Sequence, residues 1–138
     1  MLAERLEDLN LLNATQTQAR TVCILDDDPS VVKATSRLLA SAGWEVDAFT
    51  DPIEFLDHAK ECQPKVVVLD ILMPAMNGLD VQKRLREISP ESRVVILTSK
   101  DDPSTRAKAT EQGATAFFVK PIGDEEFLAG IESAFSRN

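Results

Sequence analysis

Positive charge, aromatic rings and cysteine are all scarce in this sequence, and each shortage closes off a class of function. Fifteen Lys and Arg stand against 23 Asp and Glu, for a formal charge of −8 at pH 7, with 5% aromatics and a single histidine, His58. Binding a phosphate backbone needs clustered Lys and Arg, so direct nucleic-acid binding is not expected of an acidic chain. The two cysteines, Cys23 inside an apolar run and Cys62 near a predicted helix end, are too few for a disulfide framework. They read as reduced thiols, which favours a cytoplasmic location. No apolar stretch approaches the roughly 18 residues needed to span a bilayer, and the N-terminus lacks the basic-then-apolar order of a signal peptide. Neither a membrane nor secretion is expected, and there is no sequence repeat or low-complexity tract.

What is present is 138 residues, 43% of them hydrophobic, enough for one domain with a continuous core. Residues 1–12, MLAERLEDLNLL, place Leu2, Leu6 and Leu9 at helical spacing among charges, and the stretch up to Arg20 is polar without a period. The expected organisation is an N-terminal amphipathic helix and polar linker over 1–20, then a domain over 21–138. From Thr21, short β-branched runs alternate with amphipathic segments. The runs are 21–26, 44–49, 65–70, 93–98 and 115–119, and those around Val67 and Val95 are apolar without alternation. Such strands must be covered on both faces, as in a parallel sheet between helices.

The intervening segments carry helix signals. Val31, Leu38, Leu39 and Ala42 share one stripe, as do Leu79, Leu85 and Ile88, and the last segment shows Phe127, Leu128, Ile131 and Phe135. Asp-Pro marks three helix starts, at Asp28, Asp51 and Asp102, where the carboxylate can cap free N–H groups and the proline suits the first turn. Gly43 suits the left-handed residue that ends the first helix. The segment 103–112 is the weakest helix, because only alanines mark its apolar face. The pattern predicts an α/β, doubly wound (βα)₅ unit.

In an open parallel sheet the ligand site forms beyond the carboxyl ends of the strands. Here the first strand ends in Asp26, Asp27 and Asp28, the third in Asp70, the fourth in Thr98 and Ser99, and the fifth in Lys120-Pro121. Carboxylates brought to one crevice repel one another, so some must take up protons or a cation must join them. Oxygen-only donors suit Mg²⁺. A carboxylate on the metal, with an ammonium and a hydroxyl nearby, is arranged for phosphoryl transfer, which depends on positioning and charge neutralisation. Asp70, Lys120 and Thr98 fit those three roles.

Taken in order, ILDDDP, VVVLDILMPAMNG, VVILTS and GATAFFVKP resemble the receiver domains of bacterial two-component response regulators, the CheY-like superfamily, from about Thr21 to Ser136. The resemblance implies a flavodoxin-like sandwich with a five-stranded parallel sheet in the order 2-1-3-4-5. It implies that Asp70 is the phosphoacceptor, Asp27 a direct Mg²⁺ ligand, Asp26 a ligand through water, and the Leu72 backbone carbonyl a further ligand. Lys120 would pair with Asp70 and then with a phosphoryl oxygen, Thr98 would donate to another, and Phe117 would be the aromatic switch residue. Pro121 matches a proline whose preceding bond is usually cis in the family. The phosphoryl group would come from a phosphohistidine on a histidine kinase or phosphotransfer protein. A downstream effector protein or output domain would recognise the face built from the fourth and fifth helices and the last strand, with a homodimer left open. Leu72 and Lys100 fall at positions that tune hydrolysis in the family.

Taken singly, these residues have plainer explanations. Asp28 is a helix cap, Asp70 a solvated strand terminus, Lys120 a surface lysine, Thr98 a β-branched strand residue and Phe117 fixed core. His58 is expected on the exposed side of the second helix, and Trp44 in packing at a strand edge. The nearest rival function is a haloacid-dehalogenase-like phosphatase using Asp26 and Asp28, with Thr98 as its second motif. Against it, the Thr expected after the second Asp is missing, no room is left for a cap, and Asp70 stays unexplained. A flavin-binding module needs a hydroxyl- and glycine-rich loop after the first strand, and DDDP would repel its phosphate. A scaffold-only receiver is the third rival, yet every required side chain is present.

Overall fold

The two apolar runs without alternation form the centre of the molecule. In the computed structural model, which describes residues 20–136, all of β3 (Val66–Leu69) is buried, as is β4 (Arg93–Thr98) from Val94 onward. Around them lie β1 (Thr21–Leu25), β2 (Glu45–Phe49) and β5 (Ala116–Val119), in one parallel sheet of order β2-β1-β3-β4-β5. Between and after the strands run α1 (Pro29–Ser41), α2 (Pro52–Cys62), α3 (Gly78–Ile88), α4 (Pro103–Glu111) and α5 (Asp124–Ser136). This is the expected doubly wound, flavodoxin-like arrangement. The N-terminal helix and linker expected over 1–20 lie outside the described residues except for Arg20.

Because side chains alternate along a strand, each central strand supplies two cores. Cys23, Leu25, Val67 and Leu69 pack with Phe55 of α2, Val81 and Leu85 of α3, and Ala109 of α4. Val22, Ile24, Val66 and Val68 meet Leu39 of α1 and Phe127, Ile131 and Ala134 of α5 on the opposite face. The apolar stripe expected on α1 is narrower than its pattern implied. Only Leu39 is fully covered, Val31 and Leu38 are half-buried, and Ala42 is the exposed C-cap. Trp44 packs edge-on against Phe135, 5.1 Å between ring centroids, with the Arg20 guanidinium 4.1 Å above it. His58 departs from expectation: it is half-buried, with Nε2 3.2 Å from Asp47 Oδ2.

The Asp-Pro signals mark real helix starts. Asp28 accepts from Ser30 N (2.9 Å), Asp51 from Glu54 N (3.0 Å) and Asp102 from Thr105 N (2.7 Å). Gly43 (φ +91°) ends α1 in the left-handed conformation. In α4 only Thr105 and Ala109 are buried, and polar bonds supply what apolar area does not. Gln82 of α3, 1% exposed, donates to Ala109 O at 2.9 Å and accepts from Gln112 Nε2 at 3.0 Å.

Bonds from Thr105 N–H and the hydroxyls of Ser104 and Thr105 hold the Asp102 carboxyl down, from 3.8 to about 2. A depressed carboxyl contributes stability above its ordinary value and loses it as pH falls through the folded value. Asp102→Ala is therefore expected to melt below the wild type at pH 7, the two curves converging between about pH 4 and pH 2. Thermal denaturation followed by circular dichroism across that range checks it.

Candidate functional site

A parallel sheet gathers its strand ends at one edge, and here the ladder continues one residue beyond the strands. Asp26 N donates to Phe49 O (3.2 Å), Asp70 N to Leu25 O (3.0 Å) and Lys120 N to Thr98 O (2.8 Å). Each functional side chain thus leaves a backbone that its neighbouring strand already holds. Asp26 and Asp70 are 4% and 6% exposed, a depth at which carboxylates need partners. Oxygens of Asp26, Asp27 and Asp70 all lie within 4.8 Å of one another. The Lys120 ammonium sits 2.7 Å from Asp26 Oδ2 and 3.8 Å from Asp70 Oδ2. The sequence-level expectation paired it with Asp70. In the structure its direct hydrogen bond is to Asp26, with Asp70 at the outer reach of an ion pair.

Burial pushes the Asp70 carboxyl above its ordinary value, and the nearby Asp26 charge adds to the rise. The Lys120 ammonium, the Thr98 hydroxyl and the Leu72 N–H, 3.3 Å from Asp70 Oδ1, act in the opposite direction. Thr98 is fully buried at the end of β4, and its Oγ1 also accepts from Lys100 N at 3.2 Å. The Leu72 side chain is exposed while its main chain lies against Asp70. The Lys120–Pro121 peptide bond is cis. Phe117, half-buried on β5, lies against the core beneath α4, with the Arg106 guanidinium 4.6 Å from its ring centre.

Asp28 stands apart from this group. It is exposed and engaged in capping α1, so the Asp-x-Asp pairing required by the phosphatase reading does not converge. The clustered carboxylates are the adjacent Asp26 and Asp27 together with Asp70. Hard oxygen donors at this spacing fit a small divalent cation such as Mg²⁺.

One contributor was missed from sequence. A Cβ built on Gly78, the first residue of α3, would lie 2.2 Å from Asp70 O and 2.5 Å from Ile71 Cα. Gly78 N also donates to Ile71 O at 2.9 Å. The helix start is seated directly on the backbone of Asp70, and only glycine leaves room for it. The one local signal was Asn-Gly between an apolar strand and an amphipathic helix.

The profile of the response regulator receiver domain matches residues 22–132. The chain belongs to the response regulator receiver domains. Response regulator protein TodT of Pseudomonas putida is 36% identical over 117 residues, covering 85% of this chain and 52% of TodT. The chain thus spans about half the length of the curated relatives it matches. Chemotaxis protein CheY4 of Vibrio cholerae superposes with a TM-score of 0.77 at 29% identity, covering 83% of this chain and 97% of CheY4. The BeF3-activated receiver domain of DrrB, a Thermotoga maritima protein, gives 0.76 at 30% identity, with 85% and 97% covered. A receiver domain is the phosphoacceptor module of two-component signal transduction, and none of these comparisons favours the phosphatase alternative. Among the described residues no helix is long and apolar enough to cross a membrane.

In this receiver domain, Gly78→Ala forces the start of α3 away from Asp70. Its expected cost is about 1–3 kcal/mol, the range for overpacking a tight contact, and urea denaturation against the wild type measures it.

Proposed function

We propose that Asp70 accepts a phosphoryl group from a phosphohistidine of a histidine kinase or histidine phosphotransfer protein, and that the resulting charge switches the face formed by α4, β5 and α5. The observation that carries this reading is the convergence of three carboxylates and the Lys120 ammonium at the strand ends. Asp27, Asp70 and the Leu72 carbonyl, with Asp26 behind them, would hold Mg²⁺. When present, the ion supplies positive charge that offsets the carboxylates and the incoming phosphoryl oxygens. An Asp70 oxygen forms the new bond to phosphorus as the bond to the imidazole nitrogen breaks, and the departing imidazole keeps its electron pair and takes up a proton. Lys120 and Thr98 each meet one phosphoryl oxygen. Water later cleaves the acyl phosphate and restores Asp70. The domain assists both steps but acts as a switch, not as an enzyme with a separate substrate.

Phosphorylation adds about two negative charges beside Thr98. Thr98 holds one phosphoryl oxygen, and Phe117, on the adjacent strand under Arg106, changes how deeply its ring sits. A partner that prefers one setting of this face shifts the population toward it. The partner is a downstream effector protein, an output domain of the same regulator, or a second receiver in a homodimer. The free thiols of Cys23 and Cys62 fit a cytoplasmic location, and the net charge of −8 fits the absence of direct contact with nucleic acid.

Labelling with acetyl phosphate and Mg²⁺, followed by peptide mapping, tests the assignment. Modification is expected on Asp70, with none in Asp70→Asn and a roughly 10²-fold slower rate in Lys120→Met. Label on Asp26, or undiminished label in Asp70→Asn, overturns it. Phe117→Ala should keep the labelling rate and lose most of the phosphorylation-dependent gain in partner affinity, read by titration calorimetry.

A further inference from the structure

Away from the acidic crevice, a second cluster combines sulfur, nitrogen and oxygen. Cys23 of β1 and Asp47 of β2 are register partners on adjacent parallel strands, which puts their side chains on the same face of the sheet. His58 reaches the same point from α2, and each of the three offers a donor atom within 4.8 Å of the other two. Imidazole Nε2 already stands 3.2 Å from Asp47 Oδ2. Donors around a tetrahedral Zn²⁺ lie roughly 3.3–3.7 Å apart, given bond lengths of about 2.0–2.3 Å. The His58–Asp47 edge is thus formed, and drawing Cys23 in from no more than 4.8 Å takes a shift of roughly 1–1.5 Å at most.

The surroundings match a metal-bound histidine. Nδ1 lies 3.7 Å from Sγ of Cys62, one turn along α2, a partner that can fix the second ring nitrogen. The Phe49 ring lies beside the imidazole, 4.9 Å between centroids, and walls one side. Position in the fold supplies a reason for the site. β2 is an edge strand with none of its five residues fully buried, and its aromatic contact with α2 runs through one residue, Phe49, which meets Phe55 and His58. We propose that Cys23, Asp47 and His58 form a second metal site, selective for Zn²⁺ over Mg²⁺, that fastens α2 to the sheet edge and leaves the fourth coordination position to solvent. A mixed thiolate, imidazole and carboxylate set suits this borderline ion, whereas the all-oxygen crevice suits a hard one. Burial, with help from Asp47 and Cys62, pushes the Cys23 thiol up to about 12. Coordination therefore releases its proton to solvent as the Zn–S bond forms, while the imidazole binds in its neutral form.

The test uses the full chain in excess Mg²⁺, with Co²⁺ as the spectroscopic probe and Zn²⁺ for stability. One equivalent of Co²⁺ should give a near-ultraviolet thiolate-to-metal band, and Zn²⁺ should raise Tm by several degrees. His58→Gln, at a half-exposed position that leaves the core untouched, should lose both effects, and Cys23→Ser should lose the band. Asp70→Asn should keep both, which separates this site from the phosphoacceptor crevice. No band in the wild type, a band that survives in His58→Gln, or effects lost in Asp70→Asn would each overturn the assignment.

Discussion

Three main-chain hydrogen bonds placed one residue past the strand ends carry the rest of this structure. They hold the backbone of Asp26, Asp70 and Lys120 where the sheet places it, whatever the side chains would prefer. Carboxylates at this depth repel one another and give up hydration. A loop would relax by moving them apart, whereas a strand end cannot without breaking the ladder. The raised Asp70 carboxyl and the short Lys120–Asp26 contact are two signs of that imposed proximity. The sheet thus stores at its carboxyl edge an arrangement that favours any cation able to enter it.

Most of the architecture was legible because its signals are local. Asp-Pro caps, a terminating glycine and uninterrupted Val, Ile and Leu runs each act within a few residues, and each was realised. The strand order itself came from family resemblance, not from pattern. Less legible was how deeply each helix is buried. On α1 the stripe of Val31, Leu38 and Ala42 stays partly open, since depth depends on the neighbouring α5 as well as on periodicity. Gln82 would be assigned to solvent by its type, yet it is buried, because α4 offers it a carbonyl and an amide in place of water.

The candidate site divides in the same way. The chemistry of the strand ends could be read from order and residue type. The choice of Asp26 as the hydrogen-bonding partner of Lys120 could not, because it depends on where a long side chain crosses the crevice. Gly78 was hidden because the atoms it must avoid belong to Asp70 and Ile71, eight and seven positions earlier. The grouping of Cys23, Asp47 and His58 depends on interstrand register, which no local pattern encodes.

The junction between Asp70 and α3 sorts residues 71–78 into two populations, with half-buried Met76 between them. Ile71, Met73 and Gly78 face inward, while Leu72, Pro74, Ala75 and Asn77 face solvent. At Gly78 there is no clearance, as in a dovetail joint, so a side chain there disturbs the acceptor itself. Among the outward positions Asn77 caps α3, accepting from Leu79 N at 2.8 Å, and Leu72 donates its N–H to Asp70, which leaves Pro74 and Ala75 as the exposed positions with neither duty. This junction can therefore vary at Pro74 and Ala75 what it shows to neighbours while its inner face stays the same.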